Sequence, residues 1–310
     1  MAEIEALKFL VEPFGFLADP GKRVYWLYIL VALFVASFVT CLRDGGFFPR
    51  KQVTAFVNYR YWFNRSTIID YVLMWLNALV RSSLIVPLLG AKLAGALVVA
   101  RFFQVYIGDI QITGLHWAVI ASIFSVVLFV ADDLSRFFLH RVMHKVPALW
   151  KLHKLHHSAT TLTPFTVFRV HPVESILYTM RGFLVFSGLA GFFIWLFKGQ
   201  LTAFDILGVD ALGFLFNLAA ANLRHSHVPV TFGPVERYVV SPLQHQLHHS
   251  RDHLEVNFGA CFSLWDRWSG TLLLSKDVKH ASTLRFGLSR PRLASPEAFD
   301  EVVGSSTVTV

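Results

Sequence analysis

Cysteine is nearly missing from this chain. Cys41 and Cys261 are the only two in 310 residues, and no CxxC or mixed Cys/His spacing accompanies them. A structural zinc finger, an iron–sulfur cluster and a disulfide framework are thereby excluded. Charge is scarce too: Asp, Glu, Lys and Arg make up 15% of the residues against 55% hydrophobic, with 30 phenylalanines. With a mean hydropathy of +0.53, too little polar surface is left for a soluble domain, and the composition is that of a polytopic membrane protein. Acidic residues are the scarcer sign, leaving a net charge of +8. The basic residues sit in short segments beside apolar spans, as in cytoplasmic loops facing anionic head groups, so no nucleic-acid partner is expected. A secretory signal is also missing. The first apolar run begins near Val24 with no small-residue cleavage site after it, and reads as a retained span.

Asp19-Pro20-Gly21 marks a turn before that run, which extends to Leu42 and is long enough to cross a bilayer. The stretch from 43 to 65 carries Arg43, Arg50, Lys51, Arg60 and Arg65 against Asp44 alone, the signature of a cytoplasmic loop. Tyr71 to Phe103 is apolar but interrupted by Arg81, Pro87, Gly90 and Lys92, which fits either one kinked span or a helical hairpin. His116 to Ala131 passes without a breaker into the polar stretch beginning at Asp132. Residues 145–174 are polar and basic; Ser175 to Phe197 and Leu201 to Ala220 are apolar and joined by Lys198-Gly199-Gln200. After His225 the chain stays polar, and Ser305 to Val310 read as disordered. The expected fold is all-α: a polytopic membrane helical bundle with a cytosolic histidine-rich helical cap holding a di-metal site. The expected division is residues 1–115 for N-terminal spans and loops, 116–290 for a catalytic domain and 291–310 for a tail.

What the chain has in excess is ordered histidine. His140-Arg-Val-Met-His144, His153-Lys-Leu-His156-His157 and His245-Gln-Leu-His248-His249 hold eight of the 14 histidines at helical spacing. Residues three and four apart share a helix face, so each block can aim its imidazoles at one point. By the span count all three blocks lie on one side of the membrane. Buried imidazoles need partners, which core packing alone does not give them. One transition-metal ion usually takes three or four protein side chains, so two ions are the natural reading.

Carboxylates are missing where other metal chemistries need them. Arginine follows His140, where the HExxH motif of zinc proteases has its glutamate base. No Glu-x-x-His pair of the kind used by soluble di-iron bundles is present. An all-imidazole site is left, and its outer ring nitrogens need acceptors. Asp132, Asp133, Glu174, Asp252 and Glu255 are near enough in sequence to be candidates.

Taken together, HxxxH, HxxHH and a second HxxHH beside membrane spans resemble the fatty acid hydroxylase (sterol desaturase) superfamily. The stretch Arg169-Val-His171-Pro172-Val-Glu174 is similar to an RxHPxE segment of bacterial members. His225, ahead of Gly233-Pro234-Val-Glu236, matches the isolated family histidine that precedes the last block. Asn257-Phe258-Gly259 and Trp265-Asp266-Arg267-Trp268-Ser-Gly270-Thr271 look like the NYG and WDRxxGT segments. The likeness covers roughly residues 115 to 290.

The resemblance implies a non-haem di-iron centre that uses O2 and two electrons to oxidise a C–H bond of a lipid. Carried over position by position, it implies His140, His144, His153, His156, His157, His225, His245, His248 and His249 as metal ligands. His171 matches a frequent family histidine, as a ligand or as a residue behind the ligands, and Asn257 falls in the same ambiguous group. His227 and His253 are expected at the surface or behind the ligands; the aromatic run Phe258 to Trp268 either lines a lipid tunnel or packs beneath the site. No flavin, haem or iron–sulfur motif is present, so the electron donor is expected to be separate: a cytochrome b5-like protein, a ferredoxin or a reductase. Desaturation is the rival reaction for the same ligand pattern. A metal transporter is the rival from another class, disfavoured because the histidines cluster outside the apolar segments. With no retention or targeting signal standing out, the expected location is a bacterial inner membrane with the site facing the cytoplasm.

Overall fold

The computed structural model describes residues 15–46, 57–81, 86–110, 112–197, 217–218, 221–278 and 284–288. The expected apolar segment Leu201–Ala220 lies almost wholly outside the described residues, as do His280 and Ser305–Val310. The principal helices are α1 (Trp26–Asp44), α2 (Arg65–Val80), α3 (Val86–Tyr106), α4 (Trp117–Lys145), α5 (Pro147–His157), α6 (Pro172–Phe197), α7 (Pro242–His249) and α8 (Leu264–Ser269). Among the described residues there is no β-strand. Two isolated antiparallel bridges, Val239 to Phe262 and Ser250 to Phe286, pin the C-terminal loops. The architecture is a helical bundle. The apolar stretch 71–103 is shared between α2 and α3, which favours two helices over one kinked span.

Helices α4 and α6 are long and apolar enough to cross a membrane, and Trp26–Leu42 of α1 is a shorter apolar helix. Their outward faces are apolar. On α1, Trp26, Leu30, Phe34, Phe38 and Leu42 recur every fourth residue and are all exposed, while Ala36 is buried against Leu223, Val228 and Val230. A continuous apolar stripe turned outward on a helix is what hydrocarbon requires and water penalises.

The bundle core joins α3, α4 and α6 through Ala96, Ile120, Phe124, Ala190, Phe193 and Phe197. Helices α3 and α6 approach closely because small residues face each other: a Cβ on Gly191 would stand 2.5 Å from the Ala96 carbonyl oxygen. This core fixes α4, and α4 carries the first histidine pair. Its 29 residues extend about 43 Å, some 13 Å more than a hydrocarbon core. The surplus at its C-terminal end bears His140 and His144.

Two short helices bring the other blocks to that end. Proline at the first turn starts both α5 and α7, where its missing N–H costs nothing. On α7, Ser241 caps the helix by accepting from Gln244 N, and the Gln244 side chain accepts from Ser241 N in return. Glu236 anchors this cap: its carboxylate accepts from Ser241 Oγ at 2.7 Å, Thr231 Oγ1 at 2.7 Å and both Ser275 N and Oγ.

Candidate metal centre

The nine histidines implied as ligands converge into two sets. His140, His144, His153, His157 and His248 offer ring nitrogens within 4.8 Å of one another; His156, His225, His245 and His249 form a second set under the same limit. Each HxxHH block is therefore divided, which corrects the expectation that a block aims at one point. The reason is helical geometry. The residue four positions on is rotated about 40° from the first, whereas the residue three positions on is rotated about 60° the other way. His153 and His157 stay together while His156 crosses to the second set; His245 and His249 stay together while His248 crosses to the first. Adding His140 and His144 to one set and His225 to the other completes a nearly symmetric exchange.

Within the sets it is Nε2 that faces inward. His140 and His248 bring their Nε2 atoms to 3.0 Å, His144 and His157 to 3.1 Å, and His153 and His157 to 3.2 Å. In the second set His225 lies 3.1 Å from both His245 and His249, and those two are 3.2 Å apart. Two nitrogens bound about 2.1 Å from one metal ion stand roughly 3.0–3.4 Å apart.

The outer nitrogens supply the decisive test. His140 Nδ1 donates to Phe258 O at 2.8 Å and His248 Nδ1 donates to Val256 O at 2.7 Å. A carbonyl only accepts, so both Nδ1 atoms carry the proton and both Nε2 atoms present lone pairs. Those lone pairs face each other with no proton to share. His156 Nδ1 likewise donates to Arg169 O at 3.2 Å, and His153 Nδ1 to Glu174 Oε1 at 2.7 Å. Protonating the inner nitrogens instead is disfavoured. Burial, then repulsion from neighbouring imidazoles, holds His156 down to about 3, burial alone does so for His153, and His157, His225, His245, His248 and His249 are pushed well below their ordinary value, by burial first. Neutral rings with converging ring nitrogens, four of them with Nε2 free to present its lone pair, fit cations.

Of the expected outer acceptors, Glu174 holds His153, and Glu255 Oε1 stands 3.7 Å from His144 Nδ1. Asp132 instead pairs with Arg136 and Arg181, and Asp133 binds backbone; among the described residues neither touches an imidazole, nor does Asp252. His171 stands outside both sets: its Nδ1 accepts from Val173 N at 3.2 Å, in the first turn of α6. Asn257 is also outside. It takes φ 54°, and its side chain donates to Gln244 O and Leu273 O while accepting from Leu273 N. Phe258 is buried against the rings of His140, His144 and His248, and Trp265 against Phe137. That is packing beneath the site.

Two carboxylates hold the loop that orients His140 and His248. Asp266 accepts from Phe258 N at 2.8 Å and Gly259 N at 2.7 Å, and Asp133 accepts from Cys261 N, Phe262 N and Trp265 Nε1. A third clamp ties in the N-terminal half. Arg169 Nη1 reaches buried Asp70 at 3.0 Å, while its Nε donates to Leu155 O at the end of α5. Asp70 is thus an ion-pair partner that ties α2 to the segment before α6. Asp266 and Arg169 were visible in the sequence only as parts of segments resembling a family; Asp70 stood out only as an ionisable residue within an apolar stretch.

The fold and the site together define a helical, membrane-type protein with two converging all-histidine sets, each able to hold a metal ion. Residues 125–271 match the family model described as fatty acid hydroxylase. It is 27% identical over 145 residues to alkylglycerol monooxygenase of Homo sapiens, covering 46% of this chain and 29% of that protein. It is 29% identical over 154 residues to an ornithine lipid hydroxylase of Rhizobium tropici (48% and 41%), and 30% identical over 139 residues to a Delta(7)-sterol 5(6)-desaturase of Gibberella zeae (45% and 34%). The chain thus spans well under half the length of these curated relatives. No solved structure matches it.

Proposed function

We propose that this chain is a membrane-bound non-haem di-iron oxidoreductase that uses O2 to hydroxylate a C–H bond of a membrane lipid. The observation that carries the reading is the pair of sets with converging ring nitrogens, in which the Nδ1 bonds of His140, His248, His153 and His156 leave Nε2 with the lone pair. His140, His144, His153, His157 and His248 would hold one iron; His156, His225, His245 and His249 would hold the other. Bound iron would supply the oxidising equivalents from O2 that an unactivated C–H bond demands and that acid–base side chains cannot. The residues of the chain do the rest. Glu174 and the carbonyls of Arg169, Val256 and Phe258 fix ring orientation and tautomer, and the rings of Phe258 and Trp150 close over the imidazoles and exclude water.

The outward apolar stripes of α1, α4 and α6 support several spans, with the site just beyond the bilayer on the side where α4 ends and α6 begins. A lipid reaching the site from that surface need not cross water. The side is taken to be the cytoplasmic face of a bacterial inner membrane, and electrons to come from a separate donor protein. Desaturation is the second reading, favoured by the sterol desaturase among the relatives. Lipid extracts from a host with and without the chain separate the two: a gain of one oxygen means hydroxylation, a loss of two hydrogens desaturation. His157→Ala and His248→Ala are expected to abolish either product and lower bound iron while membrane insertion persists. Normal turnover in both variants would refute the ligand assignment.

A further inference from the structure

Lys92 of α3, Asp132 and Arg136 of α4 and Arg181 of α6 lie within one another's electrostatic reach, and three of the four are cations. Asp132 Oδ2 is 2.6 Å from Arg136 Nε on α4, and its Oδ1 is 2.8 Å from Arg181 Nη1 on α6. Arg181 Nη1 also donates to Ser135 Oγ at 2.5 Å, but its Nε is buried with no acceptor among the described residues. Lys92 of α3 brings its ammonium to 5.4 Å from the Phe186 ring centroid, within the fields of Asp132, Arg181, Arg81 and Arg136. One carboxylate thus pairs directly with two arginines, and Lys92 lies within the same field. Arg23, before α1, feels the same excess: burial, then Arg136 and Arg224, lower it to about 9.

The position of this patch matters. Arg136 precedes His140 by four residues, about one helical turn or 6 Å, and Asp132 precedes it by about two turns. Both lie on the bilayer side of the histidines. The patch also opens outward, since the Arg136 side chain is 40% exposed and that of Asp132 31%, while Arg181 is 11% exposed.

We propose that Lys92, Arg136 and Arg181 seat an anionic group, a carboxylate or phosphate, carried by the lipid substrate. The proposal rests on the reading of the chain as a lipid oxidoreductase and names its substrate class. Excess cations away from bulk water are costly unless an anion joins them, and ionisable residues at membrane depth mark substrate paths. Guanidinium matches carboxylate and phosphate in geometry as well as charge. With the anion one to two turns from the histidines, the oxidised carbon lies near the head end of the lipid and not at the tail terminus.

The test is binding to the full chain in phosphatidylcholine nanodiscs, with protein-free discs subtracted. Palmitate and hexadecyl phosphate are compared with neutral hexadecanol, and inorganic phosphate serves as competitor. At least one anionic probe is expected to bind about tenfold tighter than hexadecanol, the worth of one charge-assisted hydrogen bond. Arg181→Gln and Lys92→Met should each erase that preference. Arg181 also ties α6 to α4, so Lys92→Met keeps the test open if the other variant fails to fold. Equal binding of acid and alcohol by the native chain overturns the proposal, as does a preference that survives in Lys92→Met. Displacement of the lipid probe by inorganic phosphate at matching concentration would mark a soluble-anion site and overturn it too. Iron measured on the same samples reports on the oxidoreductase reading separately: a chain without iron that keeps the preference would sink that reading alone.

Discussion

Among the described residues, Glu174 is the one carboxylate in direct hydrogen-bond contact with an imidazole of the two sets, through His153 Nδ1 at 2.7 Å. Four or five neutral rings leave the charge of a divalent ion uncompensated, so a carboxylate behind one ring raises that ring's basicity and steadies the ion. The second set has no such partner among the described residues, and Arg23 and Arg224 lie in the field of His225. The two sets should therefore hold metal unequally. Glu174→Gln keeps the shape and removes the charge; the first set is expected to bind about 10- to 100-fold more weakly. Iron retained per chain after dialysis against a graded chelator checks this. Unchanged retention would mean that Glu174 only packs. A second residue-scale expectation concerns Asp70. Asp70→Ala leaves the buried Arg169 guanidinium without its counterion, which typically costs about 3–5 kcal/mol. The thermal midpoint should fall sharply, and the Arg169 carbonyl should loosen from His156.

At the scale of elements, the loop from Val256 to Phe262 has no regular structure yet positions two imidazoles. Its rigidity comes from Asp133 and Asp266, which between them accept from four of its backbone amides. Asp266→Ala would strand the Phe258 and Gly259 amides in a buried site, at about 1–3 kcal/mol each. Hydrogen exchange at those two amides should accelerate and metal retention fall, while exchange in α3 and α6 stays unchanged. Uniform acceleration everywhere would show a general loss of stability instead of a local support. The long apolar helices were legible in the sequence because hydropathy and the 3.6-residue period are local properties, and so were the histidine blocks. The exchange of His156 and His248 between sets was not, although the i, i+3 against i, i+4 rotation contains it. Reading it needs two facing helices, and only one is present in any window. The clamps were least legible: Asp133 to Cys261 and Asp70 to Arg169 join residues 128 and 99 positions apart.

For the whole molecule, the paired site ties folding to pH through groups outside the spans. His153 and His156 are held down to about 3 by burial, against an ordinary value of 6.5. Below pH 6.5 the unfolded chain takes up protons that these buried rings refuse, so the unfolded state gains stability relative to the folded one. Stability is then fully present above pH 6.5 and drains away as the pH falls toward 3. The other buried imidazoles, displaced in the same direction, add to the slope. Bound metal steepens it further, because each ion must leave before its ligands can protonate. The expected observation is a thermal midpoint for the detergent-solubilised, metal-free chain that is level from pH 8 to 7 and falls steadily from 6.5 to 4.5. With iron loaded, the midpoint should be higher at neutral pH, and the difference should vanish as the ion is released in acid. A metal-free midpoint that stayed level to pH 4.5 would mean that the rings can protonate where they sit. Water would then reach them, and the dry, lone-pair-lined pocket on which the metal assignment depends would not exist.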